Sequence, residues 1–562
     1  MLNPDQPSAP DSPNFGSGAV TGAARPDPNG WGLFLRLSGL LLLLQLFELP
    51  KIADWSLFAF FDPGTAFKGD VLISAGLRPA IDFGYTHGLL SLIFAHRALA
   101  ILGRTPTGFI LITSFLEILM AGAITLFMRA IDATKLSRLW LFCALPLAIM
   151  PAYLTLTHPL EAALLLWAIA FEARGNRRAA LAICTICVFV KPSMGYVYGL
   201  LLLLLILWDF AARRANFRYL LEQTWPAIVC GVVAAAGCIW QFGWRSLALT
   251  IIPLTGLRTY ADTHFGFLLG RGQRFWSPAY HGFFYYLGTP AGIWLILLGI
   301  VIYYLPGVVR RFRWRLPSPG VETLACVGIM HLCFVFGFYG WRHSWEYYSY
   351  MPVLFVAGLI TLGRINRRWV AVLAVLAVVG ESYTFAVVAS GWKYKIRDRD
   401  TGGLWAYKRQ LKEWKHVIAL TADAPTLVLS NGFLPWMARG MYMPSSWFPE
   451  PGIATRREIA RVGREANRAV FVVNWRYYGS KGLWHQPIFA RYKSPFINLW
   501  RGKYLSVSVR RQALGTLVSG DERRLLRRTN HQASGPRSKS AKLSGVRIRP
   551  TPRDGLDDQT KP

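Results

Sequence analysis

Residues 61–88 read FDPGTAFKGDVLISAGLRPAIDFGYTHG and carry Asp62, Asp70 and Asp82 together with Lys68, Arg78 and His87, between two strongly apolar stretches. In a chain with 30 acidic residues against 62 Lys and Arg, three carboxylates in one such loop need a reason. A carboxylate at a membrane surface can act as a general base, taking the proton of an acceptor hydroxyl as that oxygen attacks a carbon bearing a leaving group. Each aspartate also has a plainer reading. Asp62 before Pro63 is a good helix N-cap, and Asp82 is a turn residue. Asp70 lies two helical turns beyond Asp62, so the two share a face if the segment is helical.

A leaving group that departs as an anion needs cations. Lys191, in FVKPSMG, interrupts an apolar run just before a helix-breaking proline; snorkelling to lipid headgroups is its plain alternative. Residues 243–288 bring Arg258, His264, Arg271 and Arg274 among aromatics, suited to clamping a phosphate or to meeting lipid. The turn at 341–352 packs Arg342, His343 and Glu346 among Trp341, Trp345, Tyr347 and Tyr348. Aromatics at that depth ordinarily form an interfacial belt, but their faces also suit sugar rings. His158 and Glu161, in THPLE, are weaker candidates, and helix capping explains Glu161 equally well.

The elements that must position these groups follow from composition. A chain of 562 residues that is 53% hydrophobic, 14% aromatic and 16% charged is too apolar for a soluble enzyme of this size. The net charge of +32 falls in short clusters between apolar runs and along the C-terminal part. These clusters read as topology signals and contacts to anionic headgroups rather than as a nucleic-acid surface. All seven cysteines lie in or beside apolar segments, so Cys184 and Cys187 read as packing residues despite their CxxC spacing.

Residues 1–30 lack apolar periodicity and read as a disordered tail. Residues 31–50 read as a retained first span rather than a cleaved signal. A loop over 51–106 follows, with a surface helix at 89–102 that is short for a bilayer and holds His96 and Arg97. Further spans are expected at 107–128, 139–157, 160–171, 179–190, 195–208, 225–242, 289–305, 321–338, 351–362 and 369–389. That makes a polytopic α-helical membrane protein of about eleven transmembrane helices. With that count the basic connections at 129–138, 174–178, 213–218, 310–315 and 364–368 all face one side, which should be cytoplasmic along with the N-terminus. After Gly391, short strands at 426–430, 469–474 and 504–509 and a helix at 454–466 suggest a small α/β extracytoplasmic domain over 391–512. A basic disordered tail follows at 513–562.

The first loop resembles the start of the GT-C membrane glycosyltransferases, a group similar to the protein O-mannosyltransferases and the aminoarabinose transferase of lipid A. Gly76 stands fourteen residues after Asp62, and Pro79, Asp82 and Phe83 follow in the register of those proteins. Pro63 stands where the pattern usually has a second acid, and Ala80 where it has an aromatic. The resemblance implies a catalytic loop at 51–106, Asp62 as base with Asp70 and Asp82 as alternatives, and Lys191 on the phosphate of a lipid-linked donor. Arg258, Arg271 and Arg274 would support that phosphate, and His87, Arg342, His343, Glu346 and Tyr347 would line the substrate. The donor would be a polyprenyl-phosphate sugar and the acceptor a saccharide, lipid or protein, reached with inversion at the outer face of a bacterial cytoplasmic membrane. No cofactor is required by the sequence and a divalent cation stays open. The alternative is a transporter or flippase of lipid-linked saccharides, which should show paired broken helices and charges at mid-bilayer.

Overall fold

The apolar runs are helices, as lipid demands of a segment that must satisfy its backbone internally. The computed structural model describes residues 28–60, 62–85, 87–149, 156–212, 216–252, 290–314, 319–338, 347–421, 424–429, 455–475 and 495–513. In chain order the main helices are α1 (Pro28–Phe47), α2 (Asp62–Ser74), α3 (Leu89–Leu102), α4 (Pro106–Ala130), α5 (Lys135–Ile149) and α6 (Thr157–Ala173). They continue with α7 (Arg177–Val190), α8 (Met194–Ala211), α9 (Phe217–Phe242), α10 (Trp244–Ile251), α11 (Pro290–Trp314), α12 (Pro319–Cys333), α13 (Tyr350–Thr361) and α14 (Arg367–Tyr394).

Among the described residues seven helices, α1, α4, α8, α9, α11, α12 and α14, are long and apolar enough to cross a membrane. Helices α5, α6, α7 and α13 are shorter. Helix α13 is buried along almost its whole length, and α7 packs against α6, α8 and α9.

The charged end of this bundle differs from its sequence reading. Arg177 opens α7 inside the basic cluster 174–178, yet its side chain turns inward. It donates to Glu172 of α6 at 3.1 Å, to Asp209 of α8 at 2.7 Å and to Glu322 of α12. One guanidinium therefore ties four helix ends.

The first helix begins at Pro28 and stops at Phe47, ahead of the expected 31–50 boundaries. Short turns at Leu49–Ile52 and Trp55–Phe60 follow, the second opened by Asp54, which accepts the Ser56 N–H at 2.7 Å and pairs with Lys395. Helix α3 spans the expected 89–102: Leu89, Leu92, Ala95 and Leu99 face inward, while Arg97 and Ile101 are exposed.

After α14, which ends at Tyr394, three residues past the expected change of character at Gly391, come β1 (Lys395–Asp398), β2 (Leu404–Tyr407), α15 (Lys408–Thr421), β3 (Thr426–Leu429), α16 (Arg456–Arg468), β4 (Phe471–Trp475), β5 (Phe496–Arg501) and β6 (Leu505–Arg510). The four-stranded sheet has the order β3-β4-β6-β5, with β3 and β4 parallel across α16 and the other pairs antiparallel. Strands β1, β2 and β5 and helix α15 are absent from the sequence reading. β1 and β2 are four residues each, too short for alternation to be read, and β1 carries three charges. They form an antiparallel pair whose Trp405 N–H bonds Ala53 O at 2.8 Å.

The sheet's core is continuous with the first loop. Phe471, Val473, Leu505 and Val507 share one cluster with Trp414, Trp55, Phe58, Phe67 and Phe109. One core cluster therefore runs across the position 391, while a second, of Leu427, Leu429, Val462, Ala466, Val472 and Phe496, lies wholly beyond it. Residues 1–27 and 514–562, read as tails, lie outside the described residues.

Candidate active site

The junction between α6, α7 and the start of α13 gathers the densest polar cluster in the bundle. His158 and Glu161 stand in the first turns of α6, three apart and so on one face. Helix α7 ends at Val190, and Lys191 is extended (φ −153°, ψ 111°), the conformation a following proline enforces. That turn sends the lysine inward: its residue is 2% exposed, so it does not snorkel. Its Nζ donates to Tyr348 Oη at 2.7 Å, meets His158 Nδ1 at 2.9 Å and stands 3.3 Å from Glu161 Oε2. Tyr348 Oη in turn donates to Glu161 Oε2 at 2.6 Å, and Ser193 Oγ to Glu161 Oε1 at 2.9 Å.

Aromatic faces complete the junction. Tyr347 stacks on His158 with ring centroids 4.0 Å apart and planes 11° off parallel. His87 meets the His158 ring edge-on at 5.8 Å and Tyr85 at 5.9 Å. The loop is held there by Gly88, whose N–H bonds Val190 O at 3.0 Å. A Cβ at Gly88 would collide with the Phe189 carbonyl oxygen, so only glycine permits this approach. Burial pushes the His87 imidazole well below its usual range, with His158 and Lys191 adding to the shift, so the ring is neutral at pH 7.

Lys191, His87 and Tyr347 thus lie together, and His158 and Glu161 join them at the centre. Sequence reasoning missed Ser193 and the part played by Tyr348. The first is visible only as the Ser of KPS, and the second is hidden among aromatics that read as a belt.

The aspartates separate. Asp62 opens α2, and its side chain lies outside the described residues. Asp70, fully buried, accepts from Arg104 Nε at 2.5 Å and Nη2 at 3.3 Å and meets His96 Nδ1 at 2.6 Å, tying α2 to α3 and to the entry of α4. Asp82 Oδ2 accepts the Arg78 N–H at 3.0 Å, closing a turn in which Ala80 is left-handed (φ 59°). Its Oδ1 accepts from Arg457 Nη1 at 3.0 Å and its carbonyl from Arg461 at 3.3 Å, both from α16. Burial pushes the Asp82 carboxyl up, but the Arg78 N–H and the two guanidinium groups override it and hold it below the usual range. A carboxylate so stabilised is a poor proton acceptor. Arg258, Arg271, Arg274, Arg342, His343 and Glu346 lie outside the described residues. Among the described residues no three His, Cys, Asp or Glu side chains are grouped to hold a metal ion.

Beside this clamp lies a second buried group of charges. Lys68 of α2 is fully buried, and its Nζ has no hydrogen-bond partner among the described residues. Glu458 of α16, also fully buried, accepts the Gly84 N–H at 2.9 Å. Burial pushes Lys68 down to about 7, against the opposing pull of Glu458. Between pH 7 and 10.5 the unfolded chain therefore binds the proton that the folded chain lacks, and this group's contribution to stability rises with pH across that window. Lys68→Met should raise stability by about 1–3 kcal/mol near pH 7, the cost of a buried unpaired donor, and the gain should shrink toward pH 10. Thermal unfolding of both proteins at the two pH values checks this; an equal gain at both would show that Lys68 carries no such penalty.

No protein-family model matches the chain, and no curated protein matches it. Among solved structures it is similar to that of ArnT from Cupriavidus metallidurans bound to undecaprenyl phosphate, at 12% identity and a TM-score of 0.48. The likeness covers 86% of this chain and 98% of that one.

Proposed function

We propose that the chain is an integral membrane glycosyltransferase of GT-C type, moving a sugar from a polyprenyl-phosphate donor to an acceptor at the outer face of the cytoplasmic membrane. The observation that supports it most is the Lys191–Glu161–Tyr348–His158 junction: a buried lysine at the end of a short helix, flanked by an imidazole and an aromatic face, beside the polar first loop. A dry, preorganised cation of this kind stabilises a phosphate as charge develops on it.

In this reading the acceptor oxygen attacks the anomeric carbon from the face opposite the phosphate. The carbon–oxygen bond to phosphate breaks with inversion, and the acceptor proton passes to a carboxylate. Asp70 and Asp82 have their oxygens engaged in ion pairs, which leaves Asp62 as the base. Lys191 takes the leaving phosphate, and His158 and His87 offer it ring nitrogens. Glu161, Tyr348 and Ser193 hold the ammonium in place. The eleven apolar helices would put the N-terminus in the cytoplasm and the sheet of β3–β6 outside.

The test is transfer of radiolabel from polyprenyl-phosphate sugars to an envelope extract in proteoliposomes. Asp62→Asn should lower transfer by about 10²- to 10⁴-fold, the range for a lost general base, with donor binding retained. Labelled lipid crossing the bilayer at wild-type rate, with no sugar consumed by either protein, would replace the enzyme reading with a flippase.

A further inference from the structure

A cavity of 390 Å³ opens between the first loop, α10 and α16, away from the Lys191 junction. Three guanidinium groups from three elements border it: Arg78 of the loop, Arg245 of α10 and Arg457 of α16. Its wall is apolar, formed by Ile81, Leu249 and Trp244. Among the described residues one acid faces these cations: Asp82 pairs with both Arg78 and Arg457, and Arg245 makes no ion pair. Its guanidinium lies over the Trp244 ring at 5.8 Å. Three positive charges against one negative leave a rim of net charge about +2 over an apolar wall.

Helix α10 says which phase supplies the occupant. It starts directly after the long apolar α9, turned by Gly243 (φ 82°). Trp244, Leu249 and Ile252 are exposed at 65%, 45% and 53%, while Ser246 and Thr250 are buried. An apolar face turned outward, with tryptophan and arginine beside it, is the pattern of a helix lying in the membrane interface. The cavity therefore opens at headgroup depth, where apolar wall and cationic rim together fit an amphiphile with an anionic head.

We propose that this cavity seats the phosphate headgroup of an anionic membrane lipid, held by Arg245, Arg78 and Arg457, with the glycerol and upper acyl region against Trp244 and Leu249. Because Arg78 belongs to the loop and Arg457 to α16, the bound phosphate bridges the same two elements that Asp82 joins from the other side. The lipid thus acts as a second fastener between the first loop and the C-terminal sheet unit.

The probe is phosphatidylglycerol carrying a photoactivatable headgroup, in phosphatidylcholine nanodiscs holding the full-length protein, with crosslinks mapped by peptide mass spectrometry. Crosslinks are expected within α10 and at 78–81, competed by unlabelled phosphatidylglycerol and not by added phosphatidylcholine. Arg245→Gln should lower the α10 crosslink yield about fivefold, the effect of one basic residue near an anionic surface, and Arg245→Lys should restore part of it. Arg245 is exposed, so both variants fold. Equal yield from Arg245→Gln would mean bulk annular lipid and overturn the site. Displacement of the probe by millimolar inorganic phosphate as effectively as by phosphatidylglycerol would overturn the lipid as occupant.

Discussion

With the proposed activity, Lys191→Met should lower transfer by about 10²- to 10³-fold, the loss typical when one preorganised donor to a developing anion is removed. The same change also destabilises the protein. Glu161 is 0% exposed, and its lysine contact at 3.3 Å is the one cation it meets among the described residues apart from the His158 ring at 3.9 Å. Removing one partner of a buried pair costs about 3–5 kcal/mol, because the other charge is left stranded. Lys191→Met combined with Glu161→Gln separates the two effects. The neutral amide can accept from one of the Tyr348 and Ser193 hydroxyls through its oxygen and donate to the other from its nitrogen, so the double variant should recover most of the lost stability. It should not recover transfer. Thermal unfolding and the proteoliposome assay on wild type, both single variants and the double variant read the two losses independently. A double variant that is stable and also active would remove Lys191 from the chemistry and leave it a structural pin.

Arg177→Ala carries an expected loss of stability of the same size, about 3–5 kcal/mol. Its guanidinium is the shared partner of Glu172, Asp209 and Glu322, with the arginine side chain 11% exposed and the Glu172 side chain 1% exposed. Without it three carboxylates face one another at the ends of α6, α8 and α12. Arg177→Lys should recover only part of the loss, because an ammonium cannot match the planar fork that reaches three acceptors in fixed directions. Unfolding midpoints of the three proteins in one detergent provide the comparison. If Arg177→Lys equals wild type, the fork geometry contributes nothing and simple charge neutralisation is enough. Helix α7 then emerges as a strut with a charged pin at each end. Its 14 residues rise about 21 Å, short of a hydrocarbon core of about 30 Å. Arg177 is fixed at one end and Lys191 at the other, so loss of the first pin should loosen the site at the second.

Much of the bundle was legible because lipid imposes a local rule: an apolar run has to become a helix, whatever surrounds it. The helix ends were less legible. Lys191 followed by proline marks a break in any context, and the sequence located it; whether the lysine then turned to the headgroups or into the bundle could not be read from FVKPSMG. The basic cluster 174–178 shows what a local rule leaves out. Counted as charge it is a topology signal, but Arg177 is an interior residue, because acids on three other helices meet it there.

The loop aspartates show the same division. Their number and spacing drew attention to 61–88, and the structure then gave Asp70 to Arg104, 34 residues away, and Asp82 to Arg457, 375 residues away. Tyr348 lies 187 residues from Glu161 and 157 from Lys191. The sequence by itself determined the class of protein, the positions of its helices and the candidate residue types, all consequences of composition and spacing within one segment. Only the tertiary structure decided which carboxylate meets which cation, because a side chain's charge partner is fixed by how helices distant in the chain pack, and no local pattern encodes that distance.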